Sequence, residues 1–394
     1  MVPKYRDQFN QEFTNEKYEL MKEMIHEKTG QYTGFRLCET PVFLPYSFRE
    51  KLLYAAESIL EQINKIPKEV FDKAIPANCF VPNDTDKPHF LCIDFGICRG
   101  ADGKPMPQLI ELQAFPSLYA FEELHRDVVF EVFPFLSELS QRIPYDQLIE
   151  IMKEVIVGDE NPENVILLEV YPERQKTKID FKITEDLLHI KTVCLSKVKK
   201  RGREIFYEND NGELVRIKRI YNRIILDELD KIEGFESEFN IREDVDVEWV
   251  THPNWFYKIS KYVLPLLEHT YIPESYYANE FPSDENIEEY VLKPLYSFAG
   301  GGINLHPTKE TLAQLDDPSQ YILQKKVEYA EVFRDPNGDY AKGEIRMLFI
   351  WKPGDEFPTY LNNLVRMTKS DMANVDFNKA DQMWTGSSFA LFVK

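Results

Sequence analysis

The chain has 394 residues, of which 43% are hydrophobic and 13% aromatic, and its formal net charge at pH 7 is −20. This composition supports a sizeable folded core and argues against disorder. The length allows one large multi-lobed enzyme or two to three compact domains. Because so acidic a surface repels a phosphate backbone, general nucleic-acid binding is disfavoured.

The cysteines and the apolar segments bear on the cellular compartment. The five cysteines are an odd number and include no C-x-x-C pair, so neither a disulfide framework nor a zinc site is predicted. The N-terminal residues lack the apolar run of a signal peptide, and no apolar stretch approaches the length of a membrane span. We therefore expect a cytoplasmic protein that does not contact a membrane.

The first part of the chain is predicted to combine helices with one strand pair. Residues 1–75 are expected to be mostly helical, and the apolar spacing over 47–66 predicts a packing helix. Two strands are predicted at 89–95 and 108–115.

This strand pair carries a candidate metal site. A turn centred on Asp102-Gly103 places Asp94 directly across from Glu111, where like charges destabilise a sheet. Gln113 lies two residues from Glu111 and hence on the same face. Two carboxylates and a side-chain amide suit Mg²⁺, which would convert the repulsion into attraction. The alternative is a solvated hairpin whose charges splay apart.

The middle of the chain alternates helices with short apolar runs, an order that predicts a small Rossmann-like α/β lobe. A dinucleotide site is not predicted there, because the lobe lacks G-x-G-x-x-G. The predicted elements are a helix at 120–155, a buried parallel strand at 165–170, a helix at 177–190, a strand at 191–195, a hairpin that turns at Asn211-Gly212 and a helix at 256–270.

A lysine followed by a glycine-rich loop is the first candidate nucleotide motif. Within 290–303, Lys293 lies near the end of a strand, and Gly300, Gly301 and Gly302 follow. Glycines let the backbone approach phosphates and offer N–H donors, and the lysine adds a point charge. This is not a Walker A loop, because no G-K-[ST] follows. An ordinary turn beside a surface lysine is an equally good explanation.

Residues 321–328 form the second candidate motif, a strand that leads into a polar connection. Such a connection can offer backbone groups to an adenine edge and Glu328 to ribose hydroxyls. Taken alone, a strand edge with charged side chains is the favoured explanation.

Two arginines on separate strands complete the candidate residues. Alternation over 344–351 places Arg346 and Glu344 on one face, opposite the apolar side chains. Arg366 lies in a second strand at 362–367. Arginine suits multidentate contact with phosphate or carboxylate, although structural salt bridges are the commoner explanation for such residues.

The order of these motifs resembles that of the circularly permuted ATP-grasp enzymes, which include the glutathionylspermidine synthase-like ligases. In that family a strand pair of the form D-F … I-E-x-N-A-x-P carries the metal ligands early in the chain. Here residues 93–95 are I-D-F and residues 109–117 are L-I-E-L-Q-A-F-P-S, with Gln113 at the usual Asn position. The longer Gln113 side chain must retract to reach the same ion.

Later segments of the family also have counterparts. I-Y-N-R at 220–223 resembles a tyrosine–arginine motif, and 252–265 resembles the segment that supplies a phosphate-contacting lysine, matched to Lys261. The Lys-Pro strand with its glycine loop, the Gln-x-x-Val-Glu linker and the two arginine strands follow in the family's order. The Asn374 region and 384–388 resemble its C-terminal tail.

The resemblance implies a mixed α/β fold with α+β lobes, namely a circularly permuted ATP-grasp fold with a Rossmann-like pre-ATP-grasp lobe. The first 80 residues have no counterpart in the family. The implied parts are an N-terminal helical region at 1–84, the metal-binding hairpin and helices at 85–160, the Rossmann-like lobe at 161–255 and the nucleotide-binding lobes at 256–394.

The resemblance also implies ATP and Mg²⁺ as cofactors. The magnesium ligands would be Asp94, Glu111 and Gln113, and Arg346 and Arg366 would stabilise the transferring γ-phosphoryl group. The residues implied in ATP binding are Lys261, Lys293, Ser297, Gly300, Gly301, Gly302, Gln324, Lys325, Val327 and Glu328.

The implied activity is that of an ATP-dependent carboxylate–amine ligase that forms an acyl phosphate, releases ADP and makes a peptide-type bond. Its substrates would be a small-molecule carboxylate and an amine or peptide, whose identities the sequence does not specify. Two alternatives remain open. One is a phosphotransferase on the same scaffold, and the other is a nucleotide-binding protein without catalysis.

Overall fold

The computed structural model describes residues 1–140, 142–297, 301–335, 339–370 and 382–394. The α-helices in these ranges are α1 (Pro3–Glu12), α2 (Asn15–Thr29), α3 (Tyr46–Lys65), α4 (Lys68–Asp72), α5 (Tyr119–Val132), α6 (Tyr145–Ile156), α7 (Lys178–Leu188), α8 (Leu226–Asp230), α9 (Trp255–Lys258) and α10 (Lys309–Ala313). None of these described helices is both long and apolar enough to cross a membrane.

The strands in the same ranges are numbered in chain order. They are β1 (Val42–Pro45), β2 (Phe90–Arg99), β3 (Pro105–Gln113), β4 (Val165–Glu169), β5 (Lys191–Cys194), β6 (Lys199–Arg201), β7 (Glu204–Glu208), β8 (Leu214–Ile217), β9 (Arg219–Asn222), β10 (Glu248–Val250), β11 (Ser275–Tyr277), β12 (Tyr290–Pro294), β13 (Tyr321–Lys325), β14 (Phe333–Arg334), β15 (Tyr340–Ile350), β16 (Thr359–Thr368), β17 (Gly386–Ser388) and β18 (Ala390–Val393).

The largest of the described sheets joins strands from opposite halves of the chain. Its order is β17-β16-β15-β2-β3, all antiparallel, with β14 also paired to β15. The predicted hairpin is formed by β2 and β3, and Asp94 faces Glu111 as predicted. A β-bulge next to Asp94 shifts the register beyond it, so that Phe95 faces Leu109.

The two faces of this sheet pack against different helices. On β15, Ile345 and Met347 join the core that contains helix α3, whereas Leu348 on the other face joins the core around α5 and α6. Arg346 lies on the same face as Leu348. The predicted alternation along this strand is therefore confirmed.

A second sheet, with strand order β10-β9-β4-β5, is parallel throughout. Strand β4 is buried at every position, as its continuous apolar run predicted. Helix α7 and strand β5 follow it, which confirms the strand–helix–strand order expected of a Rossmann-like lobe. The predicted hairpin is β7–β8, whose turn passes through Gly212 at a φ of 79°, a left-handed conformation that glycine adopts at little cost.

A third sheet, β11-β13-β12, is antiparallel and contains the strands predicted near residues 290 and 321. Its own small core includes Tyr290, Leu292 and Leu323. Lys293 lies near the end of β12, opposite Ile322 of β13. Lys293 therefore lies on a strand that is paired within this sheet, and its side chain reaches strand β3 of the large sheet.

Two helix predictions are wrong in extent. Residues 256–270 contain only the end of α9 and a 3-10 turn, because the Ser260 hydroxyl accepts from Tyr262 N–H and caps a new turn there. Pro265 lies inside this turn and cannot continue an α-helix. The helix predicted at 120–155 is instead the separate helices α5 and α6.

The N-terminal segment contributes a strand that local pattern did not predict. Strand β1 pairs in parallel with β18 near the other end of the chain. Helix α3 packs into the same core as the large sheet through Leu52 and Ile59. The first 84 residues thus share their core with strands of the hairpin and of the C-terminal segment.

Candidate functional site

Asp94 lies at the centre of a buried charge cluster on the large sheet. Arg346, its register partner on β15, donates from Nε to Asp94 Oδ1 and from Nη2 to Oδ2, both at 2.7 Å. Arg366 of β16 donates from Nη2 to the same Oδ2 at 2.6 Å. Burial alone would raise the pKa of Asp94, but the two guanidiniums outweigh burial and lower that pKa below its ordinary value.

Glu344 extends this cluster along the same face. It is the register partner of Arg366 and accepts from Arg366 Nη2 at 2.9 Å, while the Tyr329 hydroxyl donates to its other oxygen. Burial raises the pKa of Glu344. Arg366 therefore bridges two acids through one nitrogen. Its buried Nε has no hydrogen-bond partner among the residues that the structure describes.

Glu111 connects the cluster to the first of two lysines. Gln113 Nε2 donates to Glu111 Oε1 at 2.8 Å, and Arg346 Nη2 lies 3.8 Å from the same oxygen. Lys261 Nζ lies 3.5 Å from Glu111 Oε2 and donates to the Ser297 carbonyl at 3.1 Å. Lys261 thus links the strand that carries Glu111 to the segment that enters the glycine loop.

Lys293 is the second lysine, and it is buried against β3, the strand that carries Glu111. Its Nζ donates to the Ile110 carbonyl at 3.2 Å and to the Gln324 side-chain oxygen. Gln324 Nε2 donates in turn to the Leu109 carbonyl at 3.2 Å. Desolvation lowers the pKa of Lys293 to about 8. The lysine and the amide together fasten the three-stranded sheet to β3.

The cluster carries more positive than negative side chains. An excess of cations favours a bound anion and repels a free cation. The cationic members are Lys261, Lys293, Arg346 and Arg366, and the acidic members are Asp94, Glu111 and Glu344.

The predicted linker contributes only its buried end to this cluster. Gln324 points inward and supports Lys293, whereas Lys325 and Glu328 are exposed and Val327 is partly buried. Glu328 Oε1 lies 3.5 Å from Arg99 Nε. The structure therefore places Glu328 at the surface beside an arginine, and its contact with a ribose stays a prediction.

The glycine loop is described only in part. Gly300 and the Asn374 region lie outside the described residues. Gly301 is exposed, and Gly302 has a φ of 72°. A Cβ at Gly302 would lie 2.8 Å from Pro294 Cγ, so its backbone requires glycine for steric reasons alone.

The predicted magnesium ligands lie on adjacent strands but are not equally open. Both oxygens of Asp94 accept from guanidiniums, whereas Glu111 shares its face with Gln113. A carboxylate and an amide oxygen are donors that Mg²⁺ accepts. Within the described ranges, no group of three or more His, Cys, Asp or Glu side chains has metal-site geometry. With Asp94 committed to the arginines, Glu111 and the Gln113 amide oxygen are the donors left for Mg²⁺, and they fit it if Glu111 exchanges its contacts with Gln113 Nε2 and Lys261 for the ion.

Arg223 is a buried cation that the sequence-based site did not include. Its guanidinium lies over the rings of Phe115 and Phe181, at 4.8 and 5.3 Å from their centroids. Its Nε and Nη1 have no hydrogen-bond partner in the described part of the chain. Burial raises the pKa of nearby Glu169 to about 7, against the opposing charge of Arg223. Both residues lie at the carboxyl ends of parallel strands, a position where α/β sheets bind ligands and which could have singled them out.

Comparisons with known proteins bear on the fold. No family model matches the chain, and the search of curated proteins finds no match. A glutathione synthetase-like effector from Globodera pallida, solved in its apo form, is similar with a TM-score of 0.56 and 13% identity, covering 96% of each chain. A candidate gamma-glutamylcysteine synthetase from Methylobacillus flagellatus KT matches with a TM-score of 0.40 and 14% identity, over 86% of this chain and 87% of that one.

The first of these likenesses gives the chain a glutathione synthetase-like fold. This fold is consistent with the ATP-grasp-like architecture that the motif order predicted. The circular permutation and the four-part division of the chain stay predictions.

Proposed function

We propose that the protein is an ATP-dependent carboxylate–amine ligase on a circularly permuted ATP-grasp scaffold. The observation that carries the proposal is the convergence of Lys261 and Lys293 on strand β3 at Glu111, beside Arg346 and Arg366. Phosphoryl transfer depends on positioning and on stabilising negative charge, and cations at one point supply both. The resemblance of the motif order to amide-forming ligases supports the choice of reaction.

The two lysines would hold the phosphates of ATP. Lys261 already contacts Glu111 and the Ser297 carbonyl, so a phosphate placed there would lie next to the glycine loop. The Lys293 ammonium is desolvated and has only neutral hydrogen-bond partners among the described residues. A phosphate oxygen would supply the charge that this buried ammonium lacks.

Glu111 and Gln113 would hold Mg²⁺, which supplies charge neutralisation between the phosphates. Asp94 acts in this scheme as a positioning residue. Its carboxylate holds Arg346 and Arg366 side by side. Arg366 then keeps its Nε available for an oxygen of the transferring phosphoryl group.

The carboxylate substrate would lie toward the Rossmann-like lobe. Arg223 offers a buried guanidinium with unused donors, held between two aromatic rings. No hydrogen bond joins Arg223 to an acid in the described part of the chain, although the buried Glu169 and Asp180 lie near it, so an acid bound there would find unused donors. We therefore assign Arg223 to the acid substrate and not to ATP.

A second candidate function is nucleotide binding without turnover. The observation that favours it is the commitment of both Asp94 oxygens to arginines, which removes a predicted ligand from the metal. In this case Lys261 and Lys293 still bind phosphates, but the metal is too loosely held for transfer.

Thermal melting followed by a product assay tests both candidates. A ligand that binds only the native state raises the melting temperature. Because the cluster has an excess of positive charge, we expect a rise with Mg·ATP and none with Mg²⁺ alone. ADP release is then followed with pooled carboxylic acids, pooled amines and both together.

Release that requires both pools supports the ligase. Release with a hydroxyl compound, and transfer of phosphate to it, would point to the phosphotransferase instead. Binding of Mg·ATP without release in any pool supports the second candidate. The absence of any Mg·ATP effect on melting would overturn both.

A further inference from the structure

A small cleft with an arginine-rich lining lies at the outer edge of the large sheet. Its empty volume is about 300 Å³ when the open solvent at its mouth is included. Arg49 of α3, Arg126 of α5 and Arg142 line it together with Tyr360 and Asn363 of β16. Among these described lining residues there is no acid.

Arg126 is the unusual member of this lining. Only 3% of the residue is exposed, and its guanidinium lies 4.6 Å from the centroid of the Phe389 ring. Its one hydrogen bond within the described residues runs from Nη2 to the Asn363 carbonyl at a long 3.4 Å. Its Nε has no partner there. A buried guanidinium so weakly hydrogen-bonded is costly unless another group supplies the missing contacts.

The neighbouring acids do not supply those contacts. Glu123 accepts from Arg142 at 3.1 Å and from Asn362, and Asp127 also pairs with Arg142. Glu122 lies beside His125 and Ser387. None of these carboxylates reaches salt-bridge distance from Arg126 in the described part of the chain. Burial raises the pKa values of Glu122 and Glu123, and the charge of Arg126 opposes that rise, so these acids compensate part of its charge without bonding it.

The other lining groups add donors without adding negative charge. Arg49 contacts the Tyr46 hydroxyl at 3.5 Å and has no salt bridge within the described residues. Asn363 Nδ2 donates to the Tyr360 oxygen at 3.3 Å, so the Tyr360 hydroxyl is available as a donor. The cleft thus offers two guanidiniums with unused hydrogen-bond donors, together with a phenol, around a space for one small group.

We infer that this cleft binds the carboxylate group of a small molecule, with Arg126 as its main contact and Arg49 and Tyr360 at the mouth. The Nε edge of a guanidinium can donate two parallel hydrogen bonds to a carboxylate. A single negative charge fits better than a doubly charged phosphate, because the third arginine is already neutralised by Glu123 and Asp127. The site is separate from the Asp94 cluster: the buried Glu122 lies between the two, since it contacts Ser387, the register partner of Arg366.

The test is a titration with acetate at ionic strength held constant with chloride. Melting temperature and the Nε–H NMR signals of ¹⁵N-labelled arginine are followed in parallel. We expect a saturable rise in melting temperature and a saturable shift of one buried Nε–H signal that is missing from Arg126→Gln. In this variant the acetate affinity should fall roughly tenfold or more, the scale of a charged hydrogen bond.

Two further variants separate binding from structure. Arg126→Met should abolish the acetate response. Its melting temperature without acetate should fall, because the buried Glu122 and Glu123 lose a nearby cation. Arg49→Gln, at the half-buried mouth, should weaken acetate binding without loss of folding. The matched control is Arg174→Gln, an exposed arginine of the Rossmann-like lobe, which should keep the full response.

Three outcomes would overturn the inference. Equal changes in melting temperature and in the Nε–H signals with acetate and with chloride would show that the cleft has no specific site for a carboxylate. Tighter binding of inorganic phosphate than of acetate would remove the assignment to a carboxylate. Acetate binding unchanged in both Arg126→Met and Arg49→Gln would make Arg126 a purely structural residue.

Discussion

Asp94 and Arg346 face each other on adjacent antiparallel strands and are joined by two parallel hydrogen bonds of 2.7 Å each. The pair joins residues that are 252 positions apart in the chain. Arg366 adds a third bond to the same carboxylate. A single buried acid thus bonds two guanidiniums, which makes Asp94 important for stability as well as for the candidate site.

Replacing Asp94 with Asn should destabilise the fold by about 3–5 kcal/mol, the usual cost of leaving a buried charge without its partner. Asn keeps the shape but removes the negative charge between two buried arginines. The free energy of unfolding is measured with urea. Asp102→Asn, an exposed change in the hairpin turn, is the control and should stay within about 0.5 kcal/mol of the unchanged protein. A loss at Asp94 no larger than the control's would contradict the ion-pair assignment.

The difference in unfolding free energy between the unchanged protein and Asp94→Asn should depend on pH. The lowered pKa of Asp94 means that the unfolded chain takes up the proton first as pH falls below the ordinary value of 3.8. The stability that Asp94 contributes is therefore complete above that value and is lost as pH falls through the lowered one. We expect the unfolding free energies of the unchanged protein and Asp94→Asn to converge in acid. A constant difference down to the acid limit would mean that the charge of Asp94 does not stabilise the fold.

Lys293→Met should remove the melting-temperature rise caused by Mg·ATP. The ammonium of Lys293 is a buried cation bonded to the strand that carries Glu111, and methionine fills similar space without charge. Lys309→Met, at an exposed position of α10, is the control and should retain the full rise. An unchanged response in Lys293→Met would remove this lysine from the nucleotide site.

Lys293 should also affect the alkaline side of the stability profile. Its pKa in the folded protein is about 8, below the ordinary 10.5. Between these values the unfolded chain keeps the proton and the folded chain does not, so the cost of burying Lys293 shrinks as pH rises through this window. The unchanged protein should therefore gain stability relative to Lys293→Met from pH 8 toward 10.5. Parallel profiles would show that the lysine is not desolvated.

Arg366→Ala should lower kcat by ~10²-fold or more while ATP affinity changes little, because the contact strengthens only as charge develops on the phosphoryl group. Arg366→Lys should rescue part of the rate, since an ammonium cannot reproduce the guanidinium fork. Arg366 also bonds Asp94 and Glu344, so melting temperature and turnover must be measured together. A variant that melts earlier but keeps full activity per folded molecule would assign Arg366 to structure alone.

Local sequence patterns predicted much of the central hairpin and its neighbouring strands. The Asp102-Gly103 turn correctly predicted the hairpin, but the pairs nearest the turn, such as Phe95 with Leu109, are one residue out of the predicted register, and only the β-bulge brings Asp94 opposite Glu111. Period-two alternation placed Arg346 on the face opposite Ile345 and Met347. The apolar run at β4 predicted a buried parallel strand for a similar reason, since burial on both faces leaves no polar positions.

What the sequence determined by itself is therefore local: which segments form the hairpin and its neighbouring strands, and which face each of their side chains takes. Only the tertiary structure decided that β2 pairs with β15, that Asp94 is held by arginines from two later strands, and that Lys261 and Lys293 contact neighbouring residues of β3. It also decided that Arg126 is buried beside Phe389 with unused donors. Strand pairing between distant segments is set by the packing of whole sheets against helices, and no short window of sequence contains that information.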